Sequence, residues 1–338
     1  MQSDTAAVRP GEELDLPSLA SYLGGPVTVE QFPGGHSNLT YLLHTHRGEM
    51  VLRRGPIGAV APKAHDMARE YRILRAVHPL FPEAPRVFAL CEEASVIGSS
   101  FFLMERRHGY TLRDHIPAAL PLTPPAISVA FVDCLARLHA IPLEEHGLHA
   151  LGKPEGFVAR QIHGWAERWR RAATAEAPRA EELIGWLQRR LPAQGPPTLV
   201  HNDYKLDNVL LDGHGVSAVL DWEMATVGEP LADLGMALAY WTWVNRPEVR
   251  AAGIPALTLE PEWFSREQLL EHYARRTGRE IAGVGYFEVL GVFKLAVIVQ
   301  QIYLRFHVGQ TTDARFRDFG ERAAALLDLA ARMAETHA

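Results

Sequence analysis

His201-Asn202-Asp203-Tyr204-Lys205-Leu206-Asp207-Asn208-Val209-Leu210-Leu211 sets a carboxylate and a carboxamide five residues apart and then turns apolar. That spacing suits phosphoryl transfer from a magnesium nucleotide. The reaction is mostly positioning and charge neutralisation, so few side chains are essential: a carboxylate facing the acceptor hydroxyl and oxygen donors for Mg²⁺. Asp203 fits the first task and Asn208 the second.

Downstream, Asp221 closes the apolar run Val216-Ser217-Ala218-Val219-Leu220 and is followed by Trp222 and Glu223. Residues 208–211 and 218–221 read as two short strands around the turn Asp212-Gly213-His214-Gly215. A hairpin draws its ends together, so Asn208 and Asp221 are expected to share one Mg²⁺, an ion that accepts a few protein oxygens and fills its shell with water and phosphate. His201, at the head of the loop, is expected to pin backbone by hydrogen bonds and not to move protons. Asp233, in Pro230-Leu231-Ala232-Asp233-Leu234, opens an apolar helical stretch and is expected to brace the loop. Asp207 reads as a solvated carboxylate.

The series His201-x-Asp203-x-x-x-x-Asn208, Asp221-Trp222-Glu223 and Gly228-Glu229-Pro230-Leu231-Ala232-Asp233-Leu234 resembles the aminoglycoside phosphotransferase family of the protein-kinase-like fold. More narrowly, it is similar to the branch that occurs alone in bacteria or fused to acyl-CoA dehydrogenases. The resemblance runs from residue 25 to the C-terminus. It implies an α+β, two-lobed fold: an N-terminal extension over 1–24, an N-lobe over 25–105 with a five-stranded antiparallel sheet and one main helix, and a mostly helical C-lobe over 106–338. These motifs are specific for fold and nucleotide and unspecific for the acceptor.

In the N-lobe, Val27 to Phe32 and Leu39 to Leu43 read as strands around the turn Pro33-Gly34-Gly35-His36-Ser37-Asn38. Glycine lets backbone N–H groups approach phosphate, so Gly34, Gly35, Ser37 and Asn38 are candidate nucleotide contacts. The next strand, Met50-Val51-Leu52-Arg53-Arg54, carries arginine where kinase-like folds carry a phosphate-binding lysine. Alternation puts Val51 and Arg53 on one face and selects Arg53 as the inward residue, with Glu70 of the helical stretch 64–74 as its partner. Strands near 86–91 and 100–105 complete the sheet. The resemblance implies a hinge at Phe101 to Gly109, with Met104 near the base and backbone contacts at Glu105 and Arg107.

With 338 residues and 47% hydrophobic content, the chain has material for a large core in two lobes. A net charge of −6 argues against general nucleic-acid binding. Cys91 and Cys134 lack metal-ligand spacing and read as buried thiols, and no signal sequence is visible at Met1 to Thr5, so a cytoplasmic setting is expected. The apolar helix near 286–306 is broken by Lys294, Gln300, Gln301 and Arg305 and reads as a core helix, so no membrane partner is expected.

From Pro124 onward the pattern is helical, with the 208–221 hairpin as its one clear β element. On the helix near 286–306, Lys294, Gln301 and Arg305 share a face. Either a carboxylate such as Glu288 or an anionic ligand is needed to neutralise a cation there. The expected function is ATP- and Mg²⁺-dependent phosphorylation of a small-molecule hydroxyl on an anionic acceptor such as a hydroxy acid or hydroxyacyl-CoA. The dehydrogenase-fused branch implies the same acceptor class and a link to acyl-CoA metabolism. Two alternatives stand beside it. One is a kinase for a cationic acceptor, an aminoglycoside or a choline held by the aromatic run Tyr240-Trp241-Thr242-Trp243. The other is a nucleotide-binding module without turnover.

Overall fold

The computed structural model describes residues 4–33, 38–56, 66–243, 257–311 and 313–336, with Trp243 described by its backbone alone. Gly34, Gly35 and Ser37 lie outside the described residues. The chain forms two compact units, one of Met1–Gly109 with Ser217–Ala225, the other of Tyr110–Val216 with Thr226–Ala338.

The first unit begins with helix α1 (Leu16–Leu23), where Asp15 accepts a hydrogen bond from the Ser18 N–H, Pro17 fits the first turn, and Gly24 ends the helix in the left-handed region. Strands β1 (Val27–Gln31), β2 (Leu39–Thr45), β3 (Gly48–Arg54), β4 (Val87–Cys91) and β5 (Phe101–Glu105) form a five-stranded sheet in the order β1-β2-β3-β5-β4. Every neighbouring pair is antiparallel. Helix α2 (Met67–Val77) is capped by Asp66, and the short helix α3 (Ala94–Ile97) links β4 to β5. Leu39, Tyr41 and Leu43 of β2 meet Leu52, Phe101 and Leu103 in one core, which Leu14 and Leu19 from the N-terminal segment complete.

Alternation along β3 sends Arg53 and Arg54 to opposite faces, and both faces are covered, so both arginines are buried. Arg54 donates from Nη1 to the Ile97 carbonyl at 3.0 Å. A strand covered on both sides has no solvent face on which a second arginine can rest.

The second unit is built on helices α4 (Pro124–His139), α5 (Phe157–Ala172) and α6 (Pro178–Arg189), then α7 (Pro230–Leu238), α8 (Arg266–Thr277), α9 (Val284–His307) and α10 (Phe319–Thr336). Between α6 and α7 lie β6 (Thr198–Val200), β7 (Val209–Asp212), β8 (Gly215–Val219) and β9 (Thr226–Gly228). The β7-β8 hairpin expected from the sequence is present, but its second strand begins at Gly215, with φ 134°, and ends at Val219, so Asp221 lies beyond the strand and not at its end. The helical half holds a second β element, because β6 pairs with β9. These strands have three residues each, too few for alternation to register.

Helix α9 is long and apolar enough to cross a bilayer, yet 67% of its most apolar stretch is buried within the protein. It packs on α7 at glycine distance. A Cβ at Gly235 would come within 2.5 Å of the Phe287 backbone, and one at Gly291 within 3.0 Å of the Gly235 carbonyl. This close approach matters because α7 carries Asp233 and α9 carries Lys294.

Candidate active site

In the first unit, four charged side chains converge. Arg53 Nη1 forms an ion pair with Glu70 at 3.2 Å, its Nη2 donates to Asp221, and Nη2 lies 3.8 Å from Glu223. The pairing of Arg53 with Glu70 expected from the sequence is thus present, with two further carboxylates on the same fork. Asn38 donates to Glu223 at 2.7 Å. Arg69, one residue before Glu70 on α2, donates to the carbonyls of Glu223 at 2.5 Å and Ala225 at 2.6 Å, fixing this segment against the helix. Asp221 itself sits at φ 68°, one of two described non-glycine residues at positive φ. Such a conformation is costly and persists where surrounding contacts over-determine it.

Electrostatics in the cluster are asymmetric. Burial disfavours the Arg53 charge, but Glu70, Asp221 and Glu223 together more than offset this and hold the guanidinium charged. Burial pushes the Glu70 carboxyl up to about 7, against the pull of Arg53, with Asp221 and Glu223 adding repulsion. Glu70 Oε2 and Arg53 Nε are buried without a hydrogen-bond partner. Three carboxylates around one cation form a set that a phosphate-bound divalent ion would suit.

Around the proposed hinge, Met104 is buried, and the Glu105 N–H donates to the Arg86 carbonyl at 2.7 Å. A base meeting Glu105 would therefore meet its carbonyl. The Arg107 side chain pairs with Glu105 at 3.2 Å and donates to the carbonyls of Pro82 and Ser217, holding the strand exit in place.

In the second unit, the loop after β6 is pinned from below. Asp233 is fully buried and accepts from the backbone N–H of His201 at 2.6 Å and of Asn202 at 2.7 Å. His139 Nε2 lies 3.2 Å from the same carboxylate, and its Nδ1 is 2.7 Å from the Tyr273 hydroxyl. Burial alone would raise the Asp233 carboxyl; its bonds to His139 and His201 outweigh this and lower it. The His201 ring is fully buried, and its Nδ1 accepts from the Asp203 N–H at 3.3 Å.

Asp203 is oriented by its neighbours. Lys205 Nζ lies 3.0 Å from one carboxylate oxygen and 3.2 Å from the other. Asn208 donates from Nδ2 to both the Asp203 carbonyl and its carboxylate at 2.9 Å. With its nitrogen committed, Asn208 is left with its amide oxygen as an acceptor, the group a hard cation takes. Lys205 also lies over the Tyr240 ring at 4.8 Å, and Asp203 with Tyr240 holds its ammonium charged despite burial. Asp207 is exposed.

The acceptor-side expectations fare differently. Lys294 is buried, Gln301 and Arg305 are exposed, and Lys294 does not pair with Glu288. Glu288 is taken by Arg266 of α8, with Nε 3.0 Å from each carboxylate oxygen. Lys294 instead donates to the Asn202 carbonyl at 3.2 Å. The aromatic run is also committed within the protein: Trp241 is buried against Phe131 and Trp263 and donates to the Phe264 carbonyl at 3.0 Å, while Tyr240 covers Lys205. The motif spacing singles out neither Lys205 nor Glu223, although each lies two residues beyond an aspartate of the motif. His139 carried no local signal at all.

Residues 28–269 match the model of the phosphotransferase enzyme family. Mouse acyl-CoA dehydrogenase family member 10 is 33% identical over 325 residues, covering 92% of this chain and 30% of that relative. The chain spans less than half the length of the curated relatives it matches. A solved aminoglycoside-phosphotransferase-like protein of Ralstonia eutropha is 29% identical with a TM-score of 0.81, covering 96% of this chain and 99% of the other. Aminoglycoside phosphotransferase APH(4)-Ia, solved with ADP and hygromycin B, has a TM-score of 0.60 at 18% identity over 93% and 98% of the two chains, a likeness of fold. The α+β architecture is thus the protein-kinase-like fold that the sequence resemblance implied.

Proposed function

Because the chain belongs to the phosphotransferase enzyme family, we propose that it transfers the γ-phosphoryl group of ATP to the hydroxyl of a small molecule. The observation that carries this reading is the loop. Asp203 is held by Lys205 and Asn208 on a backbone pinned by Asp233, and its side chain keeps about a fifth of its surface open.

In the proposed reaction Asp203 accepts a hydrogen bond from the acceptor hydroxyl and aligns its oxygen. As the new O–P bond forms and the bond to ADP breaks, the hydroxyl proton passes to Asp203. Lys205, beside the carboxylate, would hold it in place and offset negative charge on the transferring phosphoryl group. Asn208 and Asp221 would hold Mg²⁺, which when bound neutralises phosphate charge. Arg53, steadied by Glu70, would meet the nucleotide phosphates, and Asn38, immediately before β2, would be held beside them by Glu223.

We read the acceptor as anionic. Support comes from Arg168 on α5, exposed and stacked over Trp165 at 4.4 Å, for which no described carboxylate is a partner, and from the exposed Arg305 on α9. The name of the mouse relative points toward acyl-CoA metabolism. A cationic acceptor is less favoured, because Tyr240 and Trp241 already serve internal contacts. ADP release from Mg-ATP with hydroxy acids, hydroxyacyl-CoAs, aminoglycosides and choline tests the reading. Turnover with the acids or thioesters supports it; turnover confined to the cationic acceptors overturns the acceptor class.

A further inference from the structure

Asn202, with φ 65°, is the second described non-glycine residue at positive φ, and it immediately precedes Asp203. Both of its backbone polar groups are held: the N–H by Asp233 of α7 at 2.7 Å, the carbonyl by Lys294 of α9 at 3.2 Å. Lys294 is only 5% exposed, among Phe293, Leu295, Ala296 and Val297, which are themselves buried. Its Nζ lies 5.4 Å from the Trp165 ring, and among the described residues no carboxylate reaches it at ion-pair distance. An apolar residue would fill that place at lower cost, so a buried ammonium without an ion pair calls for an explanation beyond packing.

We propose that Lys294 is a positioning residue: by fixing the Asn202 carbonyl in its strained conformation, it sets the orientation of the adjacent Asp203 carboxylate. The inference rests on the reading of Asp203 as the group that faces the acceptor. It also reassigns Lys294, which the sequence pattern offered as a contact for the acceptor itself.

The groups facing Lys294 are Asp233 from α7, Asp203 and Lys205 from the loop, and Arg168 and Trp165 from α5. Burial dominates among them and pulls the ammonium down to about 8; Asp203 and Asp233 resist, while Arg168 and Lys205 add to the fall. Above that pH the carbonyl loses a charge-assisted donor.

Wild type, Lys294→Met and Lys294→Arg test the proposal by two readouts. The first is ADP release from Mg-ATP between about pH 6 and about pH 10, with hydroxyacyl-CoA and with water as acceptors. Wild-type kcat should fall above about pH 8. Lys294→Met should lower kcat about 10- to 100-fold, with KM for ATP within about threefold and no such fall with pH. Lys294→Arg should restore part of kcat and carry the high-pH limb upward. The second readout is amide hydrogen exchange in residues 201–208, which needs no turnover: it should quicken in the Met variant and recover in the Arg variant. Unchanged kcat and exchange in Lys294→Met would overturn the proposal. If wild type does not turn over ATP, the phosphotransfer reading fails, and exchange alone decides whether Lys294 holds the loop. Should the Met variant not fold, wild-type exchange at 201–208 relative to α10, corrected for intrinsic rate, decides instead. A rise through pH 8 supports the assignment and a flat ratio overturns it.

Discussion

Arg53 shows how much a single residue type decides. One planar guanidinium spans Glu70 on one side and Asp221 with Glu223 on the other. A lysine has one ammonium and no fork, so Arg53→Lys should leave part of the cluster unpaired. We expect the Kd for Mg-ATP to rise about tenfold, measured by calorimetry, corresponding to about 1.4 kcal/mol; unchanged affinity would remove Arg53 from the nucleotide site. Glu70 predicts a pH effect with a defined sign. Its folded carboxyl is pushed up to about 7 from 4.5, so between these values the folded state keeps a proton that the unfolded chain has lost. The contribution of Glu70 to stability is therefore full below 4.5 and declines as pH rises through 7. Thermal unfolding of wild type and Glu70→Gln across this window should show a decline in wild type that the variant lacks.

At the scale of elements, the loop is held by the packing of α7 on α9. Asp233 and Lys294 grip the two sides of Asn202 only because Gly235 and Gly291 let their helices approach to backbone contact. Gly235→Ala should destabilise the protein by about 1–3 kcal/mol through overpacking, read from the denaturant midpoint. It should also lower turnover, because the loop's anchors move apart. A variant that keeps both stability and activity would mean that the helices yield without disturbing the loop. Here the sequence was a partial guide. The His201 to Asn208 motif is local, and its spacing alone pointed to Asp203 and Asn208. The burial of Lys294 under the loop was hidden, since a helical face says which residues align and not which neighbour covers them. On sequence alone Glu288 is a candidate neutralising carboxylate for Lys294, but Arg266, 22 residues away in the chain, claims it. The pairing of β6 with β9 and the place of Leu14 and Leu19 in the first unit's core likewise depend on contacts distant in sequence.

Across the whole molecule, the resemblance read from a few motifs matched the family model and the solved fold, because those motifs carry the chemistry that the fold serves. The acceptor was less legible: no motif marks it, and the side chains proposed to meet it, Arg168 and Arg305, are exposed residues of two different helices. Replacing Arg168 by Glu should raise KM for an anionic acceptor about tenfold or more and leave KM for ATP nearly unchanged. Equal effects on both would place Arg168 outside acceptor recognition. The central claim is that Asp203 activates a hydroxyl for phosphoryl transfer, and the most direct measurement is ADP formation from Mg-ATP by wild type and Asp203→Asn, with nucleotide affinity measured in parallel. We predict that the variant binds Mg-ATP as wild type does and turns it over about 10²- to 10⁴-fold more slowly; turnover unchanged by the substitution would contradict the account.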